Sequence, residues 1–419
     1  MDYNITHIWK NENYMKILMI SSTYPYPPSR GGTQVRTFNL LKYLSRNHSI
    51  TVVTQISADV TDVEIEELRE YVDELVVFPR PHTSTTMGGT WAKIQRFGKF
   101  LIKGTPPSVL SNYSEAMQQW IDQFVQAGKC EAITCEHSAN EIYVRPEWKN
   151  QLKTVVNVHS SVYGTCRQQL ETHTAEQPLR DRLNLPLLYR YEQRYCSKFS
   201  AIVATTEEDR QQLQDFNPQA QFEVIANGVD FDKFPYKTSD PGGHRLIFIG
   251  AMDNLPNIDA ARYLSLEIFP QVQQRYPDAT LALVGARPVP QVSELSALPG
   301  IEVTGQVPSM AEYLHQATVC VIPMRTGFGI KNKTLEAMAA GVPVVASDRG
   351  LEGLAVDGPN DPHRALRANT VAEYVETISR LFEHPHLREQ LSQNGRLLIE
   401  TEYTWERAGE LYEQVLLRR

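Results

Sequence analysis

Lys331, Lys333 and Glu336 follow closely behind the paired glycines Gly327 and Gly329 in the stretch GFGIKNKTLEAMAAGVPVVAS, residues 327–347. A glycine-rich turn lets the backbone approach a ligand and points free N–H groups at it. The helix expected next, closed by Gly341 and Pro343, adds the positive end of its dipole, and the two lysines add full charges. With Asp348, these charges surround an otherwise apolar helix–strand unit, which suits a phosphorylated ligand that also carries hydroxyls. Glu336 is a lone carboxylate among Leu335, Ala337, Met338, Ala339 and Ala340. The vicinal hydroxyls of a ribose are one partner for it. The simpler alternative is a structural pair with Lys333 one turn back, worth about 0.2–0.5 kcal/mol.

Other candidates lie earlier in the chain. Arg30-Gly31-Gly32 follows an apolar strand-like run and precedes a helical pattern. It is not the GxGxxG of a dinucleotide fold, and no such match follows Gly250 or Gly285. It is either a second anion nest or a flexible turn after PYPP. His159 ends the run TVVNVH and His137 ends AITCEH; a strand-end histidine can donate to a sugar hydroxyl or a phosphate oxygen, or can be structural. Asn227-Gly228 looks like a tight turn with Gly228 at positive φ.

Two βα openings must position these residues. The first is MKILMISST, with a helical pattern and SITVVTQ behind it; the second is HRLIFIG, a Pro-containing loop, a helix from about Asp259 to Arg275, and ATLALVGA. Further strands are expected at ELVVFP, AITCEH, TVVNVH, SAIVAT and FEVIAN, then at IEVTG, TVCVIPM and PVVAS. Apolar runs alternating with helical periodicity indicate an α/β fold of two doubly wound parallel sheets. The linker-like segment PYKTSDPGGH divides an N-terminal domain (1–235) from a second domain (236–400), and 401–419 reads as a helix packing back toward the first. Ligands of open α/β sheets sit at strand carboxyl ends. That rule marks Ser21, Ser22, Glu136, His137, His159, Asn227, Gly228, Gly250, Gly285 and Gly305, which would meet across one cleft if the sheets face each other.

A chain of 419 residues, 42% hydrophobic and 21% charged, is of globular composition and long enough for two domains. A net charge of −8 without a long basic run argues against nucleic acid as a partner. Five scattered cysteines show neither CxxC nor zinc spacing and suit reduced thiols, so a cytoplasmic location is expected. The segment WAKIQRFGKFLIKG, 91–104, carries Lys93, Arg96, Lys99 and Lys103 and no acid. An amphipathic helix packed on its domain is the simpler reading. The other is a helix touching an anionic membrane, peripheral on the inner face of the plasma membrane.

In order and spacing, SSTYPYPPSRGG, VIANGVDFDKF, FIGAMDNLPNIDAARYL, VTGQVPSMAEYLHQA and GFGIKNKTLEAMAAGVPVVAS resemble a retaining GT-B glycosyltransferase of the family-four type over nearly the whole chain. The nearest pattern is a bacterial exopolysaccharide-type subgroup with GxGIxNKxLEAMA. The resemblance implies transfer of a sugar from a nucleotide diphosphate to a saccharide or lipid-linked acceptor, with retention, and with no cofactor and no metal. It places Glu336 on the ribose, the backbone of Gly327, Phe328, Gly329 and Ile330 on the phosphates and sugar, and Lys333 on the diphosphate. Gly31 and Gly32 would approach the distal phosphate. Gly250, Arg325 and Lys331 join the donor-binding set, and His137 and Arg36 the acceptor side. His159 would orient rather than attack, and no nucleophile is assigned.

Two departures accompany the resemblance. Thr326, preceded by Arg325, stands where the common pattern has a further glutamate. The region AMDNLPNID also lacks the Arg and Lys usual after the first strand of the second domain, so Lys331, Lys333, Arg30 or Arg36 must supply the charge. A nucleotide-sugar epimerase on the same architecture, using Glu136 and His137 as acid and base, and a degenerate non-catalytic protein are the alternatives.

Overall fold

The computed structural model describes residues 14–81, 104–159, 161–358 and 362–418. The stretch 91–104, apart from Gly104, lies outside them. Seven parallel strands build the first sheet: β1 (Lys16–Ser21), β2 (Ser49–Ile56), β3 (Glu74–Pro79), β4 (Ala132–Glu136), β5 (Lys153–Asn157), β6 (Ala201–Ala204) and β7 (Phe222–Val224). Their order is β3-β2-β1-β4-β5-β6-β7. Six more build the second: β8 (Arg245–Ile249), β9 (Thr280–Val284), β10 (Ile301–Gly305), β11 (Val319–Ile322), β12 (Val344–Ala346) and β13 (Leu366–Arg367). These run β10-β9-β8-β11-β12-β13. Strands such as β4 and β11 are buried along their whole length, as expected where helices cover both faces. The order reverses beside β1 and beside β8, and the cleft opens at those strand ends.

Strand β13 was not anticipated, because two residues are too short to display a period. The helix expected from Asp259 starts at Leu255 instead. Pro256 lies in its first turn, where a missing N–H costs nothing, so that proline opens the helix rather than breaking it. The helix then passes through a π-turn, Leu264–Ile268, into Phe269–Arg275. Among the described residues no helix is long and apolar enough to cross a membrane.

The chain crosses between the sheets twice, and the crossings lie side by side. Val229 N donates to Tyr403 O at 3.0 Å, and Val229 bridges Thr404 in parallel. Gly228 is not at positive φ. Its glycine is needed for close approach, since an added Cβ would lie 2.2 Å from Trp405 N. After the second crossing the Trp405–Leu417 helix, capped by Thr404, packs on the Gly32–Leu44 helix of the first sheet. Gly409 meets the Tyr43 ring there, with no room for a side chain.

Tyr412 anchors that helix to the first sheet. Its hydroxyl donates to Glu136 Oε1 at 3.2 Å and accepts from Asn157 Nδ2 at 2.8 Å. Burial pushes the Glu136 carboxyl up, while the Arg36 charge and the Tyr412 and Asn157 hydrogen bonds pull it down. Tyr412→Phe leaves the buried carboxyl short of a donor and is expected to cost about 1–3 kcal/mol. Urea unfolding of both proteins measures it, with the m-value unchanged.

Candidate active site

A cleft of about 2440 Å³ lies between the sheets, and both contribute to its walls. Of the sequence-derived candidates, Gly31, Gly32, Arg36, His137, His159, Gly250, Gly327, Phe328, Gly329, Ile330, Lys331, Lys333 and Glu336 line it. Arg325 does not. Its guanidinium is turned outward onto Asp259, 3.0 Å through Nε, and stacks over Tyr263 at 4.8 Å. An exposed arginine with its own carboxylate is not held for a ligand.

The helix Asn332–Ala339 carries the two central groups on one side. Its start has no side-chain cap, and neither has the start of Gly32–Leu44 across the cleft. Elsewhere Thr61, Ser114, Thr206, Thr370 and Thr404 cap helices through their side chains. These two helix starts, like that of the helix Leu255–Tyr263 at the same cleft, therefore leave first-turn N–H groups unsatisfied by capping side chains. A Cβ on Gly32 would lie 3.8 Å from Asn332 Nδ2, so the two starts are close together. Gly31 has an extended φ of 170°, so Gly31-Gly32 opens a helix and does not fold into an anion nest.

Lys333 and Glu336 form neither an ion pair nor a hydrogen bond with each other. The Lys333 ammonium donates to the neutral amide of Asn257 and lies 5.0 Å over the Phe248 ring. Burial pushes it down to about 7, with the neighbouring Lys331 charge adding to the effect. Burial likewise pushes the Glu336 carboxyl up to about 7, partly offset by Lys333 and Lys233. Within the described residues nothing donates to that carboxylate. Close packing surrounds the pair: a Cβ on Gly250 would lie 3.2 Å from Lys333 Nζ, and one on Gly285 would lie 1.8 Å from Gly250 O.

Three expected donor contacts are already used within the protein. Gly327 N donates to Gln168 Oε1 at 3.3 Å, Gly329 N to Asp209 Oδ1 at 3.3 Å, and Ile330 N to Thr205 Oγ1 at 3.1 Å. Phe328 packs against the apolar core of the first sheet. The turn thus holds the two lobes together through N–H groups that were expected to be free. Lys331 is also committed: its ammonium bonds Gly329 O and pairs with Glu352 at 3.2 Å. Arg30 pairs with Glu64 at 2.8 Å and Asp59 at 3.1 Å. Asp348 pairs with Arg367 and is away from the cleft.

On the first lobe, the His137 and His159 rings meet edge to face at 5.4 Å. Burial lowers His137 to about 4 and holds His159 well below the usual imidazole range, so both are neutral at neutral pH. The Nε2 of His159 has no hydrogen-bond partner among the described residues. Arg36 is buried, bonded to Asn157 and Asn227. Glu136 is fully buried behind the cleft wall and cannot serve as its acid or base. Ser21, Ser22 and Gly305 also end outside the lining. Asn157, Gln168, Thr205, Asp209, Asn257 and Asn332 were missed as contributors. These side chains carry no spacing signal: Gln168, Thr205, Asp209 and Asn332 gain partners where the two lobes meet, whereas Asn157 and Asn257 bond distant residues of their own lobes. Among the described residues no three His, Cys, Asp or Glu side chains group to hold a metal ion.

Residues 30–233 match the family described as Glycosyltransferase Family 4, and residues 243–384 match the family of group 1 glycosyl transferases. The chain belongs to the family-four type of glycosyltransferases, the two matches together spanning most of its length. A D-inositol 3-phosphate glycosyltransferase of Frankia alni is 28% identical over 229 residues, 48% of this chain and 54% of that protein. A GDP-mannose-dependent mannosyltransferase of Corynebacterium glutamicum, acting on a monoacylated phosphatidylinositol monomannoside, is 27% identical over 48% of this chain and 57% of its own. The match thus spans about half the length of these curated relatives. Sucrose-phosphate synthase from Thermosynechococcus elongatus superposes with a TM-score of 0.66 at 18% identity, covering 96% of this chain and 98% of that one. Anabaena HepE in complex with UDP and glucose does so with a TM-score of 0.63 at 14% identity, covering 96% and 99%. These structures share the two-domain GT-B fold.

In this family member the raised Glu336 carboxyl sets a pH dependence. A carboxyl normally near 4.5 and held at about 7 in the folded chain penalises folding once it must ionise. The penalty is absent below the unfolded value and complete above the folded one. Glu336→Gln is therefore expected to raise the Tm of the ligand-free protein at about pH 8, the gain shrinking to nothing toward about pH 4.5. Calorimetric scans of both proteins across that range give the comparison.

Proposed function

We propose that the protein transfers a sugar from a nucleotide-diphosphate donor to a saccharide or lipid-linked acceptor, with retention at the anomeric carbon and without a metal, in polysaccharide or glycoconjugate synthesis. The observation that carries this reading is the placement of Lys333 and Glu336 on an uncapped helix start inside an interlobe cleft. Glu336 accepts hydrogen bonds from the ribose hydroxyls. Lys333 and the helix ends neutralise the diphosphate as it leaves, an electrostatic effect worth most in a site shielded from water. The bond from C1 to the phosphate oxygen breaks, and the bond to the acceptor oxygen forms on the same face. The acceptor's proton passes to the departing phosphate. His159, neutral and part of the cleft wall, orients a hydroxyl.

The test is direct. Uridine, guanosine or adenosine diphosphate is expected to raise the Tm, the base that does so identifying the donor, and Lys333→Met to weaken that nucleotide by at least about tenfold. Product formed from the matching nucleotide sugar should keep the donor's anomeric configuration by NMR, with activity unchanged in EDTA. No stabilisation by any nucleoside diphosphate would sink the donor reading. An inverted product would remove retention, and loss of activity in EDTA would remove metal independence. Conversion of the nucleotide sugar to an epimer without acceptor would favour the epimerase.

A peripheral membrane contact through 91–104 belongs to the same reading, resting on its cationic and apolar composition. Vesicles containing anionic lipid are expected to co-sediment the protein, and Lys93, Arg96 and Lys99 changed together to Glu to release it. Equal sedimentation of the two forms removes the contact.

A further inference from the structure

The cations lining the cleft differ in what they are bonded to. Arg30 is paired with Glu64 and Asp59, Arg287 with Asp253 at 2.6 Å, and Lys331 with Glu352. Arg180 bonds Asp181 at 2.9 Å, and Lys233 approaches Asp230 at 3.7 Å. Each of these charges is largely cancelled by its own carboxylate. Apart from Lys42, exposed in the last turn of its helix, two cations remain among the described residues: Lys333 and Arg36. Both are hydrogen-bonded to neutral amide oxygens instead.

Arg36 reaches the second lobe through a short ladder of amides. Its Nη1 donates to Asn227 Oδ1 at 2.7 Å, while Nε and Nη2 donate to Asn157 Oδ1 at 3.3 and 3.1 Å. Asn227 Nδ2 donates in turn to Asn332 Oδ1 at 2.7 Å. Asn332 opens the helix that carries Lys333 and Glu336. A guanidinium carries five N–H hydrogens, so these three bonds leave two uncommitted on a side chain that is 1% exposed and forms part of the cleft wall. Because Asn227 and Asn332 belong to opposite lobes, the ladder forms only when the lobes are together.

We propose that Arg36 is the first lobe's cation for the distal phosphate of a nucleoside diphosphate, brought to the donor helix by the Asn227–Asn332 bridge. It thereby supplies charge that the sequence lacks after the first strand of the second sheet. Neutral partners matter here: an amide orients the guanidinium without cancelling its charge, whereas a carboxylate would do both. Glu136, behind the cleft wall, interacts with Arg36 electrostatically without a direct hydrogen bond.

The proposal rests on the donor reading above, and its test separates the two. Affinities for the nucleoside diphosphate and the corresponding monophosphate are measured by calorimetry for the parent, Arg36→Gln and Asn227→Asp. Asn227→Asp keeps a side chain of the same shape but puts a carboxylate on Arg36. Both variants are expected to lose at least about tenfold in diphosphate affinity and less than about threefold for the monophosphate. Equal losses for the two nucleotides, or no loss, overturn the role of Arg36 and assign it to structure. If Arg36→Gln does not fold, Asn227→Asp alone decides by the same criterion. A parent protein that binds neither nucleotide would overturn the donor reading itself.

Discussion

The two adjacent chain crossings are the constraint on which the cleft depends. With Val229 hydrogen-bonded to Tyr403 and Gly228 pressed against Trp405, the connecting segments run together and tie the two lobes at one place. The same arrangement sends the Trp405–Leu417 helix back onto the first sheet, where Tyr412 meets Glu136 and Asn157. Asn157 also holds Arg36, so the terminal helix fixes one wall of the cleft through a continuous set of buried hydrogen bonds. A buried polar group left without a partner is costly, so these contacts stand or fall together.

Charge in the cleft is governed by what each cation meets on folding. Most basic side chains find a carboxylate nearby, which satisfies them and removes them from service. Lys333 finds an amide and an aromatic face, and its charge is both retained and penalised by burial. Glu336, of opposite sign, bears the same kind of penalty. Groups held at such a cost in the empty protein gain most when a ligand offers hydroxyls or phosphate oxygens, because those contacts relieve desolvation already incurred.

The glycine turn illustrates a different balance. Its N–H groups are bonded to Gln168, Asp209 and Thr205, so the turn ties the two lobes together. Burial and the Glu352 charge push Asp209 up to about 6, with Lys331 pulling the other way. The carboxylate thereby accepts a partially desolvated position in order to reach the Gly329 backbone. Lobe contact thus draws on backbone groups that the sequence alone leaves looking free.

The sequence alone determined the two βα repeats and the Lys333–Glu336 helix, because hydrophobic period, glycine turns and strand-end position are local properties of the chain; the shared cleft followed only once the two sheets were seen to face each other. Strand β13 escaped because two residues carry no period, and the Leu255 helix start was obscured because a first-turn proline resembles a loop signal. Which cations stay available was decided only by tertiary structure. Arg325, Arg30 and Lys331 look as serviceable in one dimension as Lys333, and their partners Asp259, Glu64 and Glu352 lie far off in sequence. Likewise Asn227 reads as a turn until Asn332 arrives from the other lobe. Charge pairing and amide bridging act over a few ångströms in space, and a linear pattern does not record which distant residues will be brought that close.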